Sequence, residues 1–295
     1  MAVAALHART STALPRRTAY VLDEDLSRRM RLLRAELGAD VRTFVQDGAL
    51  LFVAPDGGPA VDAYAEQAHR ALAAYRAPGR LRSDPERAVT VFVQSSDAAY
   101  GGLCERHLHR PCEAPWGFTL PGPREVFVDA AHGAGTLLHE MLHPLMADDW
   151  SDWDAGLPRW LGEGMASLYE QSRFTADGDL RGEKNPRLET LVHGLAIADP
   201  AARMSALFGM SDDAFRGADA GEAGAYVLER HEATARYLML WLQDTRADEG
   251  GPWRFYREWR DGLAGDPTGA RAFARVAGRT PEDAEADWER WVKSL

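Results

Sequence analysis

The pattern of hydrophobic and polar positions changes near residue 135 of this chain. Before it, apolar positions at helical spacing over residues 24–37 predict a helix, because intervals of three and four place them on one face. Short apolar runs at residues 41–45 and 49–53 flank an Asp-Gly pair and predict a β-hairpin. Residues 59–75 predict an amphipathic helix that ends before a Pro-Gly pair.

Two further runs in this first part have the character of strands. Residues 88–94 (AVTVFVQ) predict a buried strand, and residues 125–130 (EVFVDA) predict a second, shorter one. Residues 95–123 between them contain glycine and proline throughout, which is typical of a loop. The first part therefore combines helices with a small mixed sheet.

From residue 135 onward the pattern is almost entirely helical in period. The predicted helices cover residues 135–147, 158–172, 186–196, 222–244, 252–263, 268–276 and 282–293. Thr280 is placed to cap the last of them, and Pro281 suits its first turn. We therefore expect an α+β fold with three parts. These are a flexible segment at 1–20, an α+β subdomain at 21–148 and a mostly helical subdomain at 149–295.

Composition narrows the class of protein. Apolar residues make up 45% of the 295 residues, which is enough for a sizeable core. The formal net charge of −11 disfavours nucleic acid as a partner, because its phosphates would be repelled. We expect no transmembrane segment, since no apolar run is long enough to cross a bilayer. No secretory signal is evident in the first residues, which slightly favours a cytoplasmic location. The sequence does not predict an oligomeric state.

The chain has two cysteines, Cys104 and Cys112, with seven residues between them. Two thiols cannot form a four-thiolate metal site. A short disulfide loop in an oxidising compartment and a pair of free thiols are equally compatible with the sequence.

The candidate chemistry begins with the segment His139-Glu140-Met141-Leu142-His143. On a helix, the two histidines lie one turn apart on the same face, so both imidazoles reach one metal ion. Glu140 projects toward the same side, where a carboxylate accepts a proton from activated water. The alternative is a helix with two surface histidines. Pro144 follows directly and is expected to kink or end the helix.

A catalytic zinc ion needs a third protein ligand, and the segment PRWLGEGMASLYE offers one. Pro158 begins a predicted helix, and Glu163 lies in its first two turns between Gly162 and Gly164. Each glycine costs about 1 kcal/mol of helix propensity relative to alanine, so the pair indicates a packing or site requirement. The alternative is a glycine-weakened surface turn.

The motifs HEMLH and WLGEGMASLYE together resemble the gluzincin metallopeptidases, which combine HExxH with a downstream glutamate in a WLxEGxA-like helix. Nineteen residues lie between His143 and Glu163, which suits that class, and no third histidine follows in the metzincin spacing. The resemblance implies a zincin-like fold in which His139, His143 and Glu163 hold Zn2+. Glu140 would then be the general base in the hydrolysis of a peptide or protein.

The resemblance implies an endopeptidase or oligopeptidase. Gluzincin aminopeptidases read the substrate amine with a Gly-x-Met-Glu-Asn segment, and this chain lacks one before the metal helix. The alternative is a catalytically inactive binding module that keeps the zincin fold. Residues 125–130 are expected to form the edge of the substrate cleft.

Three further residues are predicted to support the site. Glu170 lies seven residues after Glu163, on the same helix face, and is expected to accept a hydrogen bond from a ligating histidine. Its alternative role is that of a solvated glutamate. Enzymes of the class that this chain resembles supply a tyrosine or histidine that donates a hydrogen bond to the developing oxyanion. Tyr226 and His231 are the candidates for this role. The alternative is that each is an ordinary helix residue. The acidic pair at 148–149 is interpreted as loop acids.

Overall fold

The computed structural model describes residues 20–54, 60–82, 87–150, 157–247, 250–262 and 265–295. The predicted flexible segment at 1–20 lies almost wholly outside them. Helix α1 (Leu22–Leu37) precedes the hairpin of β1 (Arg42–Gln46) and β2 (Leu50–Ala54), and helix α2 (Ala60–Tyr75) leads to β3 (Val89–Gln94). These predicted elements are confirmed.

The prediction of a loop over residues 95–123 is wrong, because the segment contains helix α3 (Asp97–His107) and strand β4 (Gly117–Leu120). Ser96 caps α3 by accepting a hydrogen bond from the backbone N–H of Ala99 at 3.3 Å. Two consecutive glycines inside the helix obscured it, since glycine lowers helix propensity. Of the two alternatives for the cysteines, the structure shows the disulfide, which joins α3 to the segment after it.

Strand β5 (Glu125–Asp129) completes a five-stranded mixed sheet in the order β1-β2-β3-β5-β4. The three central strands are parallel, and the two outer strands pair antiparallel to their neighbours. Strand β5 is therefore interior, and the expectation that it forms the edge of a cleft is wrong. The edge strand beside it is β4.

Helix α4 (Ala134–Asp149) carries the HExxH motif and packs with α2 on one face of the sheet, while α1 and α3 cover the other face. The helix predicted over residues 135–147 is confirmed, and of the two effects expected of Pro144, a kink or an end, the structure excludes the end, since the helix continues to Asp149. Proline has no N–H to donate to the carbonyl four residues earlier, which belongs to Glu140. That carbonyl instead accepts a hydrogen bond from Thr119 Oγ1 at 2.9 Å.

The rest of the described chain is mainly helical, as predicted. Its helices are α5 (Arg159–Leu168), α6 (Arg187–Ala196), α7 (Asp212–Phe215), α8 (Gly224–Thr245), α9 (Gly251–Gly262), α10 (Ala270–Ala277) and α11 (Pro281–Ser294). A short hairpin of β6 (Ser172–Phe174) and β7 (Leu180–Gly182) was not predicted. The predicted cap of α11 is confirmed, because Thr280 Oγ1 accepts from the N–H of Asp283 at 3.2 Å.

One hydrophobic core joins the sheet and α4 to the C-terminal helices. The interpretation of the acids at 148–149 as loop residues is wrong. The buried Asp149 carboxylate accepts hydrogen bonds from the Tyr256 hydroxyl at 2.8 Å and from Arg260 of α9. Asp148 pairs with Arg124 at 2.6 Å. Among the described residues, no helix is both long and apolar enough to span a membrane.

Candidate metal centre

His139 and His143 occupy one face of α4, as their spacing predicts. Their Nε2 atoms lie 3.1 Å apart. The neighbouring Leu138 and Leu142 are buried in the core and fix the rotation of the helix. Both imidazoles therefore point into one partly open recess, and their side chains are 12% and 24% exposed.

Glu163 reaches the same recess from α5. Its Oε2 atom lies 3.4 Å from His139 Nε2 and 3.8 Å from His143 Nε2. Ligands of a tetrahedral zinc ion at 2.0–2.1 Å lie about 3.3 Å from one another. The three donor atoms are thus at separations that suit a single zinc ion.

The glycines beside Glu163 reflect close packing. A Cβ atom at Gly164 would lie 3.0 Å from the backbone oxygen of Ala235 on α8, so a larger residue would force the two helices apart. At Gly162 the nearest atom would be a side-chain carbon of Leu157 at 3.1 Å. The packing requirement that the two glycines indicated is present, and at Gly164 it brings α5, which carries Glu163, close to α8.

Glu140 lies at the rim of the donor set. Its Oε1 atom is 3.9 Å from His139 Nε2, and its side chain is 12% exposed. One donor atom from each of His139, Glu140 and His143 falls within 4.8 Å of the others. The carboxylate is therefore close enough to share a water molecule with an ion in the recess.

Glu170 lies beside a ligating histidine, as the sequence predicts, but it does not reach that position from a helix face. Helix α5 ends at Leu168, so Glu170 belongs to the turn after it and not to the helix face. Its Oε1 atom is 3.1 Å from Nδ1 of His139, although the Nδ1–H direction is poorly aligned with it. Gly135 permits this approach, because a Cβ atom there would lie 1.9 Å from the backbone oxygen of Glu170.

Burial and charge together set the protonation of these groups. Burial opposes ionisation of Glu163, but His143 and His139 outweigh it and hold its pKa well below the usual range. Burial likewise opposes ionisation of Glu170, and contact with His139 and Arg187 still lowers its pKa to about 2. Burial lowers the pKa of His143, which favours the neutral form that binds metal. For His139, Glu163 and Glu170 overcome burial and raise the pKa.

Sequence reasoning missed three residues that contact the site. Arg159 Nη2 lies 3.3 Å from Oε1 of Glu163, the oxygen that faces away from the histidines. Its position four residues before Glu163 on one helix is the signal that predicts this pair. Asn185 and Arg187 both donate to the Glu170 carboxylate, at 3.0 and 3.1 Å.

Arg187 extends this network to α8 by binding Glu232. Burial raises the pKa of Glu232, even though the arginine opposes the effect. No local sequence pattern links these two residues, which are 45 positions apart.

The structure does not bring Tyr226 or His231 to the donor set. His231 is buried, its Nδ1 donates to the backbone oxygen of Phe215 at 2.9 Å, and its ring stacks on that residue. Tyr226 is 42% exposed, and its hydroxyl accepts from Arg230. Glu232 marks the side of α8 that faces the site, and the other two point about 100–120° away around the helix. Neither is placed to donate to an oxyanion there.

No protein-family model matches this chain, and no curated protein matches it. The assignment of the site therefore depends on the two motifs and on the geometry of the residues around them.

Proposed function

We propose that this protein is a zinc-dependent peptidase of the gluzincin type, acting as an endopeptidase or oligopeptidase. The observation that carries the proposal is the convergence of two imidazole nitrogens and one carboxylate oxygen, from His139, His143 and Glu163, at separations of 3.1–3.8 Å. Two nitrogen donors and one oxygen donor are a ligand set of catalytic zinc sites, which keep a further position open. A bound zinc ion supplies a Lewis acid that polarises a carbonyl group and acidifies water.

Glu140 is the general base in this proposal. Its carboxylate accepts a proton from the attacking water and delivers it to the amine that leaves. The 3.9 Å between its Oε1 and His139 Nε2 supports this role, because it brings the carboxylate within reach of a water molecule beside the two histidines. Arg159 holds the outer oxygen of Glu163, which keeps Oε2 directed at the two histidines.

The substrate we propose is an extended peptide bound along β4. This strand pairs with β5 along one edge, and no other strand of the described residues pairs with its second edge. A Cβ atom at Gly117 would lie 2.5 Å from Thr136 Cγ2 of α4 and 3.5 Å from Cγ of Glu140, so β4 lies directly beside the site. A peptide that adds to this edge by backbone hydrogen bonds passes in front of Glu140.

A zincin-like fold is part of the same proposal. It is supported by the HExxH helix lying on a mixed sheet next to an antiparallel edge strand, with the third donor on the following helix. The predicted cytoplasmic location stays a prediction. The disulfide between Cys104 and Cys112 favours an oxidising compartment instead.

The decisive test measures metal content and hydrolysis on the same preparation. The protein is purified without chelator, its zinc is counted by mass spectrometry, and it is incubated with a mixed peptide library. We expect one zinc ion at this site, and cleavage that Glu140→Gln abolishes without loss of the ion. Absence of zinc uptake would contradict the proposal. Zinc without cleavage would identify a non-catalytic binding module.

A further inference from the structure

A second group of potential metal ligands lies where β3 and β5 end. Asp129 is the last residue of β5, Asp97 is the first residue of α3, and His132 closes the short 3-10 turn that leads to α4. His132 Nε2 is 3.1 Å from Asp97 Oδ1 and 4.0 Å from Asp129 Oδ2. One donor atom from each residue lies within 4.8 Å of the other two. The carboxyl ends of parallel strands are a common place for ligands to bind.

Two buried oxygens at this position lack a hydrogen-bond partner among the described residues. Asp129 has no exposed surface, its Oδ1 accepts from the N–H of Ala131 at 2.9 Å, and its Oδ2 accepts from nothing. Gln94 is equally buried, and its Oε1 is also without a donor. The two residues are in register on adjacent parallel strands, so their side chains share one face of the sheet. Unpartnered buried oxygens side by side require a donor or a cation.

The carboxylates at this position also favour binding of a cation. Asp97 and Asp129 are in contact, and burial, followed by the hydrogen bond with Asp97 and then its charge, raises the pKa of Asp129. The salt-bridge partner that both acids share is the imidazole of His132, which is 37% exposed. Two carboxylates and one imidazole form a cluster with more acidic than basic groups, whose excess negative charge a divalent cation would neutralise.

We propose that Asp97, Asp129 and His132, together with the amide oxygen of Gln94, form a second divalent-cation site. Carboxylate oxygens combined with one imidazole suit Mn2+ or a similar first-row transition metal, whereas Ca2+ and Mg2+ are usually held by oxygen alone. Asp97 and His132 are exposed, so water completes the coordination on that side.

An ion there would connect several elements around the proposed catalytic recess. The turn from Asp129 to His132 leads directly into α4, whose residue His139 lies five positions after the helix begins. Trp116, immediately before β4, accepts a hydrogen bond from the N–H of Asp129 at 2.9 Å. The ion would thus fix the start of the HExxH helix and of the edge strand, and we expect it to raise the thermal unfolding temperature.

The first test counts ions on the full-length chain by equilibrium dialysis against Mn2+. Asp129→Asn and Asp97→Asn should each bind one ion fewer per chain than the parent. His193→Gln, which alters an exposed histidine of α6, should bind as many as the parent. Asp97 is exposed, so its variant is expected to fold even if the buried change does not. Undiminished binding in a folded Asp97→Asn or Asp129→Asn variant overturns the proposal.

The same measurement separates this site from the proposed zinc site. His143→Gln should remove a different ion from the one that Asp97→Asn removes. If the parent binds a single Mn2+ ion, its loss in Asp97→Asn with retention in His143→Gln supports the second site, and the measurement of zinc uptake decides the first. Retention of the ion in Asp97→Asn with its loss in His143→Gln overturns the second site alone.

A spectroscopic test reports on the position of the ion. The ring of Trp116 lies 5.7 Å from the ring of His132, so bound Co2+ should quench its fluorescence. We expect saturable quenching in the parent that is lost in His132→Gln. Trp116→Phe should lose the same component and still bind the ion. Quenching that His132→Gln leaves unchanged contradicts the site.

Discussion

Thr119 donates its hydroxyl hydrogen to the backbone carbonyl of Glu140 at 2.9 Å, and Pro144 leaves that carbonyl without its usual partner in the helix. The edge strand β4 is thereby attached to the HExxH helix at the proposed general base. The interruption by proline, which sequence analysis treated as a disturbance of the helix, gives the strand an acceptor to bind.

Replacement of Thr119 by valine should therefore destabilise the protein and impair the proposed hydrolysis. The carbonyl would be left unpaired, at a cost of about 1–3 kcal/mol in the free energy of unfolding. Thr119→Ser retains the hydroxyl and should behave more like the parent. The two variants are compared by urea denaturation and by the rate of peptide cleavage. Equal stability of the valine and serine variants would show that the hydrogen bond is unimportant.

Glu163→Gln and Glu170→Gln should form an ordered pair in zinc affinity. The first replaces an anionic donor 3.4 Å from His139 Nε2 with a neutral amide and should be the more severe. The second changes a group that contacts only the far side of that imidazole, and such changes cost about 10- to 100-fold in affinity. Chelator competition measures both, with circular dichroism as the control for folding. A stronger effect at Glu170 would reverse the assigned roles.

Two helical glycines offer a matched test of the close approach behind His139. Gly135→Ala would place Cβ 1.9 Å from the backbone oxygen of Glu170, whereas Gly101→Ala on α3 meets nothing within 4 Å. We expect Gly135→Ala to destabilise the fold by about 1–3 kcal/mol or more and to weaken zinc binding. Gly101→Ala should be neutral or stabilise by about 0.5–1 kcal/mol. Thermal unfolding and zinc titration of both variants measure the difference.

The site residues that the sequence predicted belong to short motifs, whereas most of those that it did not predict lie outside them along the chain. His139, Glu140, His143 and Glu163 belong to two short motifs, and the structure places them together. Helix α3 was not predicted because it contains two glycines and its apolar residues do not form a clear stripe along one face. Arg187 approaches the site only through tertiary packing, so no spacing in the sequence marks it.

Asp149→Asn should be strongly destabilising, because it removes a buried charge that faces Arg260 across the contact between α4 and α9. Loss of one partner of a buried ion pair typically costs about 3–5 kcal/mol. Asp244→Asn is the control, since Asp244 and Arg181 form a partly exposed pair at 2.8 Å that is worth about 0–1 kcal/mol. Urea denaturation measures both changes. Similar losses in the two variants would contradict the structural role given to Asp149.

His107 should make stability depend on pH. Its Nε2 lies 3.2 Å from Oε2 of Glu125, and its Nδ1 lies 2.7 Å from Oε1 of Glu36. The interaction with Glu125 is the main cause of a raised pKa, burial opposes it, and Glu36 adds to it. The folded protein therefore binds the proton more tightly than the unfolded chain, in which histidine titrates near pH 6.5.

The sign of the effect follows from this difference. The stabilisation is fully present below about pH 6.5 and is lost as pH rises through the higher pKa of the folded state. The free energy of unfolding should thus decrease across this window, and His107→Gln should remove that part of the decrease. Urea denaturation at several pH values measures it, with His193→Gln as the control, because His193 is exposed. Subtracting each variant from the parent cancels the contributions of the other histidines. A profile for His107→Gln that parallels the parent throughout would show that His107 is not protonated more readily in the folded state.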